Sequence, residues 1–299
     1  MQDIGYLIGV LCAIGAGIFN NLGTVVQKKV VNELPKGEKV GRNLLKNPLW
    51  LFGLVLQLVL GTILFLFAYD IVPEWGIGIG PALVPGLMAA GLIVLALGSV
   101  KILGEKLKWQ EYAGILLMIA AITLLGFSKL ESDVTEAHLA DPAFILRLSI
   151  FTIVLFLSAL FCEILQRRKE KYRGIYYAVF SGFMFSLSNF WVAPLITLMA
   201  LAFGGQYILF FIIAIVILLA VNVLGIFKIQ QSFQHGQAAN LIPIQQVPIQ
   251  ITPIFVYFAI FLLTPPTILS LPFMIGGIAL IIISSFLLAK RQAQLEEIK

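Results

Sequence analysis

Charge is what this chain has least of. Asp, Glu, Lys and Arg supply 12% of its 299 residues, about half the share that keeps a water-soluble domain hydrated. The few carboxylates also avoid the interior of the apolar stretches: Asp70, Glu105 and Glu163 all fall near the ends of such stretches. That placement disfavours a proton-coupled exporter built on a mid-membrane glutamate, and it offers no pair of mid-helix carboxylates for acid–base chemistry. Cysteine is nearly missing too. Cys12 and Cys162 stand in no CxxC or Cys/His spacing, so they read as small apolar packing residues, and neither redox chemistry nor zinc binding is indicated. His138 and His235 lie in connectors without ligand-like neighbours and read as ordinary loop residues. With no HExxH, no GxSxG and no soluble-cofactor motif, the chain is not expected to be an enzyme or to carry a cofactor.

What is abundant is apolar sequence, 60% of the residues. A helix rises about 1.5 Å per residue, so roughly 20 apolar residues cross a hydrocarbon core of about 30 Å. Nine runs meet that length: 4–26, 48–70, 81–102, 109–127, 143–166, 175–202, 207–227, 238–262 and 268–289. Long spans without alternating polarity exclude a transmembrane β-barrel. The expected fold is an all-α polytopic bundle, a multi-pass protein of the cell membrane with the lipid bilayer as its first partner.

The sparse charge is unevenly placed. All the Lys and Arg residues except Lys129 and Arg147 fall in the odd-numbered connectors and the C-terminal tail, while Asp70, Glu74, Glu131, Asp133, Glu136 and Asp141 collect on the other side. Positive charge stays inside, which puts the N-terminus outside and the C-terminus in the cytoplasm and requires an odd number of crossings. The net charge of +5 is thereby explained by topology, and no nucleic-acid partner is expected. The first span follows an acidic residue and precedes Lys28 and Lys29, the pattern of an anchor that is not cleaved. The basic connector KGEKVGRNLLKN sets topology or lies against anionic headgroups. Trp50, Trp75 and Trp109 fall near span ends, where indole favours the headgroup region.

Two stretches share an order of parts. From Ala82 and again from Ala239, a proline-interrupted apolar helix leads through a turn into a second helix; Pro85 matches Pro243, and Gly114 matches Gly276 or Gly277. The first turn is expected in the cytoplasm and the second outside, so spans 1–4 and 6–9 read as inverted copies. The expected organisation is a first repeat over 1–127, a connector with the extra fifth helix over 128–166, a second repeat over 175–289 and a cytoplasmic tail over 290–299.

Polar residues at membrane depth are the candidates for function, because each needs a partner or water there. The first span carries Gly5, Gly9, Ala13, Gly17 and Asn21 at four-residue spacing, and the sixth repeats a shorter stripe in Ala178, Gly182 and Ser186. Such stripes let a neighbouring backbone come close. At their polar ends stand Asn20, Asn21, Thr24 and Gln27, and Ser181, Ser186, Ser188 and Asn189. In the eighth span Pro243, Pro248 and Pro253 each remove an amide hydrogen, so a kink or local opening is expected, with Gln245, Gln246 and Gln250 between them. This is the leading site for substrate contact; the alternative is a buried amide network with no ligand. Asn222, Pro81, Pro85 and Gly86 are its expected surroundings, and Trp191 either stacks on a solute or packs.

The segment AIGAGIFNNLGTVVQKK, Ala13 to Lys29, resembles the first helix of NIPA-like magnesium transporters in its Ala-Ile start, its Ile-Phe pair and its terminal Lys-Lys. The proline helix followed by GEKL, Gly104 to Leu107, resembles the element found across the drug/metabolite transporter superfamily with its EamA-type repeats. The order of nine helices and the match from Asn240 to Pro243 extend the likeness over most of the chain. The resemblance implies an inverted-repeat transporter with a central cavity, moving a small solute or Mg²⁺ by alternating access. A polar metabolite or amine is the alternative cargo and a channel the alternative mechanism; a coupling ion and a homodimer are both compatible with it. Mg²⁺ dehydrates reluctantly, so a path this poor in carboxylates would pass a largely hydrated ion along amides and carbonyls.

Overall fold

The computed structural model describes residues 2–34, 43–68, 79, 83–130, 132, 134–168 and 172–297. Asp70, Glu74, Trp75, Pro81, Glu131, Asp133 and the 36–42 part of the basic connector lie outside them. Among the described residues there is no strand, and nine helices are long and apolar enough to cross a membrane. They are α1 (Gln2–Glu33), α2 (Pro48–Ala68), α3 (Val84–Lys101), α4 (Trp109–Phe127), α5 (Pro142–Arg168), α6 (Arg173–Phe203), α7 (Ile208–Phe233), α8 (Ala238–Ile260) and α9 (Ser270–Glu297). The protein is a multi-pass all-α membrane protein.

Local sequence explains where these helices start and turn. Asn47 caps α2, its side-chain oxygen accepting from the amides of Leu49 at 2.9 Å and Trp50 at 3.1 Å, and Pro48 takes the first position, where a missing N–H costs nothing. Asp141 does the same for α5 ahead of Pro142, accepting from Ala143 at 2.9 Å. The turn between α3 and α4 passes through Gly104 at φ +68°, a left-handed conformation that glycine adopts without strain. α1 runs past the span expected to end at residue 26 and continues to Glu33, carrying Gln27 and Lys28 as buried side chains.

The prolines of α8 do not open it: the helix is α-helical through Pro243, Pro248 and Pro253 and widens into a π-turn only at Val256–Ile260. Each proline removes one ladder bond, and the four residues before the next keep theirs. The interruption falls instead in α3, where Val84–Met88 and Gly91–Lys101 are separated by a turn at residues 89–90. A second π-turn, Leu56–Leu60, divides α2.

Packing divides the chain into two compact units. One comprises residues 1–130, 233–244 and 265–299, the other residues 131–232 and 245–264, so α8 contributes its first residues to one and its remainder to the other. In the first unit α1 packs against α2 and α3, while α4 packs along α9. Trp50, expected at the headgroups, is 4% exposed here, whereas Trp109 is 78% exposed. Gly17 and the stretch Met88–Gly91 touch backbone to backbone: a β-carbon on Gly17 would strike the carbonyl of Met88, and one on Gly91 the carbonyl of Gly17. Along the α4–α9 seam a β-carbon on Gly114 would lie 2.7 Å from Leu288, and one on Gly277 2.7 Å from Leu125. Contacts that pair an early residue of α4 with a late one of α9, and the reverse, make the two helices antiparallel.

In the second unit α5 packs along α6. Its core includes Phe144, Met184, Leu187, Trp191 and Leu198. Gly182 of α6 meets α8, where a β-carbon would strike the carbonyl of Gln245 and the ring of Pro248. Burial separates eight of the helices into two sorts, with α4 at 39% close to the more buried one. The most apolar windows of α1, α3, α6 and α8 are 44, 44, 47 and 50% buried, against 22, 22, 17 and 22% for α2, α5, α7 and α9. The second group therefore presents most of its apolar side chains to lipid, and the first carries the polar interior.

Candidate solute and ion sites

On α1 the polar residues form one buried face. Asn21, Thr24, Gln27 and Lys28 are all under 9% exposed, with Asn20 half-buried beside them. A helix repeats every 3.6 residues, so positions 21, 24 and 28 lie above one another. Asn21 donates to the carbonyl of Gly17 at 3.0 Å, and Thr24 to that of Asn20 at 3.0 Å. Gln27 donates at 2.7 Å to the side chain of Gln57, which sits in the π-turn of α2. π-turns present extra backbone polarity and recur at functional places.

The lower end of this face opens on a cavity of about 300 Å³ lined by Lys28, Asn32, Glu105, His235, Gly236, Gln237 and Leu295. The Lys28 ammonium donates to the carbonyl of Phe233 and, at 2.8 Å, to that of Gly236, and it stands 5.6 Å from the centre of the Phe233 ring. Glu105 binds the start of α8, accepting from the amide of Ala238 at 2.9 Å and of Ala239 at 3.4 Å. A carboxylate is favoured there, since the first amides of a helix lack intrahelical partners. Burial pushes the Glu105 carboxyl above its ordinary range, and the charge of Lys28 and the two amides oppose that rise. Lys101, one turn ahead of Glu105 in the chain, is exposed.

In the first turn of α4 lies a second acidic site, one that hydropathy does not single out. Glu111 has no exposed surface; it accepts from Asn240 at 2.8 Å and from the Lys108 amide at 2.6 Å, and Arg291 stands 3.6 Å away. Asn240, also fully buried, is the third residue of α8, three residues ahead of Pro243, itself buried. The signal was present: Glu111 is the third residue of its helix, the position from which a carboxylate reaches back to an unpaired amide.

In the second unit the polar residues close into pairs and chains. Gln245 donates to Ser181 at 2.8 Å and Ser181 to the carbonyl of Gly225 at 2.7 Å, a relay from α8 through α6 to α7. Asn222 donates to Ser188 at 2.7 Å, and Ser186 to the carbonyl of Gly182 at 2.8 Å. Gln250 and Gln246, both half-buried, pair at 3.2 Å. Trp191 donates to Thr152 at 3.1 Å within the apolar core, and Asn189 is exposed. Lys228 pairs with Glu163 at 2.5 Å, its ammonium over the rings of Tyr177 and Phe180 at 5.0 and 5.1 Å.

Among the described residues no three His, Cys, Asp or Glu side chains converge on a point where a metal ion would sit. Among the described residues the buried polar side chains are mainly amides and hydroxyls.

Nine membrane-length helices among the described residues, enclosing such polar side chains, define a polytopic membrane protein. Residues 4–293 match the model of the family Magnesium transporter NIPA, and the chain belongs to that family of membrane transporters. Neither a curated protein nor a solved structure matches the chain.

Proposed function

We propose that the protein carries Mg²⁺ across the membrane by alternating access, using two inverted halves. One observation carries the mechanism: the same contact is built twice. On α1, Gly17 presses bare against α3 while Asn21, four residues on, donates to its carbonyl; on α6, Gly182 presses bare against α8 while Ser186, four residues on, donates to its carbonyl. Met88 and Gln245, the backbone partners, follow the matched prolines Pro85 and Pro243 by three and two residues. The α4–α9 seam supports the same reading, because Gly114 against Leu288 and Gly277 against Leu125 exchange under a single shift in numbering. Glycine contacts at which neither helix can grow a side chain let paired helices slide or tilt as rigid bodies.

The cargo follows from family membership and from the donor set. Mg²⁺ keeps much of its water, and hydrated Mg²⁺ presents hydrogen-bond donors outward. Amide oxygens of Asn21, Gln27, Gln246 and Gln250 suit those donors without requiring dehydration. The face holding the Lys28–Glu105 cavity is the one we assign to the cytoplasm from the bias of positive charge. Uptake of Mg²⁺ into proteoliposomes at fixed membrane potential, against amino acids, amines and nucleosides, tests this reading. Saturable Mg²⁺ uptake supports it, while uptake of an organic solute alone, or steady single-channel conductance, replaces it with the corresponding alternative.

A further inference from the structure

Lys28 is 3% exposed, yet it is a cation whose ordinary place at a span end is water. Its ammonium is held by the carbonyls of Phe233, the last residue of α7, and of Gly236, in the link to α8. Glu105 lines the same cavity and feels its charge. Two carbonyls and one carboxylate are hard oxygen donors, the set that Mg²⁺ or Mn²⁺ takes together with retained water. The adjoining cavity of about 300 Å³ leaves room for such water, which needs roughly 30 Å³ a molecule.

We infer that Lys28 is a tethered cation occupying a divalent-cation site made by Glu105 and the carbonyls of Phe233 and Gly236. An ion that takes this site must displace the ammonium, because the two carbonyls it would bind are those the ammonium already holds and two cations so close repel. With Lys28 in place, α1 is tied to the α7–α8 link; with an ion in its place, α1 is released from that link while Glu105 keeps its hold on the first amides of α8. The site thus converts ion occupancy into a change in which helices are joined. Binding is claimed independently of the proposed transport; only the coupling between them rests on that reading.

The probe is Mn²⁺, followed by loss of its free spin-resonance signal as purified full-length protein in nanodiscs is added. Lys28→Met removes the charge and keeps the aliphatic stem, and it should create one Mn²⁺ site at least about tenfold tighter than anything in the wild type. Adding Glu105→Gln should abolish that site, and Lys28→Arg, which keeps a tethered cation, should bind no better than wild type. If Lys28→Met does not fold, the wild type decides: Mn²⁺ at high concentration should raise its thermal midpoint, and should fail to do so in Glu105→Gln. Equal Mn²⁺ affinity in folded Lys28→Met and wild type overturns the inference, as does Lys28→Met binding that survives Glu105→Gln. So does an equal thermal response of wild type and Glu105→Gln. A protein that carries some other solute would still show the binding, and an Mg²⁺ carrier lacking this site would transport but show none of it.

Discussion

The amide nitrogen of Asn240 lies 2.8 Å from a carboxylate oxygen of Glu111, and neither side chain has any exposed surface. A buried carboxylate is tolerated only with its lone pairs taken and its charge balanced. Asn240, the Lys108 amide and Arg291 do both. Glu111→Ala should therefore destabilise the protein by roughly 3–5 kcal/mol, since it leaves Arg291 and Asn240 without their partner. Reversible unfolding in detergent measures the loss, and adding Asn240→Ala should cost much less than the sum of the two single changes.

Neighbouring glycines on α9 should behave oppositely. A methyl group at 277 would stand 2.7 Å from Leu125 and 3.1 Å from the Ala121 carbonyl, whereas one at 276 would meet only Leu124 at 3.5 Å. Gly277→Ala is expected to lower stability by about 1–3 kcal/mol, and Gly276→Ala to leave it unchanged or slightly raise it. Thermal midpoints of the two variants compared side by side check this.

Glu105 gives stability a pH dependence of known sign. Its folded carboxyl keeps a proton to higher pH than it does in the unfolded chain, so the folded state binds more protons between those two values. Stability contributed at this site is full below the ordinary carboxylate range and falls as pH rises through the folded value. Glu105→Gln, which cannot ionise, should lack that decline. Unfolding midpoints of the two proteins across acidic to neutral pH measure the difference.

Most of the fold was legible from hydropathy, because in lipid a helix must be apolar along its length and must satisfy its own backbone. The fourth span coincides with Trp109–Phe127, and the others differ by a few residues except where charge misled. Lys28 marked the end of the first span on composition, although it continues the period of Asn21 and Thr24 and is buried with them. Its partners, two backbone carbonyls some two hundred positions away, leave no trace in side-chain sequence. Glu111 was hidden for a similar reason: position identifies it as a helix-start carboxylate, but only packing supplies Asn240 and Arg291. The prolines of α8 were visible and their effect was not, since the π-turn they precede begins three residues beyond Pro253.

Amides that meet cargo and amides that only brace helices should separate under mutation. Asn21→Ala and Gln246→Ala each remove one hydrogen-bonding group without changing charge, so transport should fall by about three- to tenfold while the folded fraction stays as in wild type. Ser181→Ala breaks the relay between Gln245 and Gly225 and should cost stability first. Initial rates and size-exclusion profiles on the same preparations distinguish the two outcomes.

The most direct trial of the account is the initial rate of Mg²⁺ entry into proteoliposomes holding the purified full chain, at fixed membrane potential, with wild type beside Asn21→Ala and Gln246→Ala. The account predicts saturable entry in the wild type and reduced entry in both folded variants. Wild-type rates in both variants, or no Mg²⁺ entry above that of empty liposomes, would contradict it.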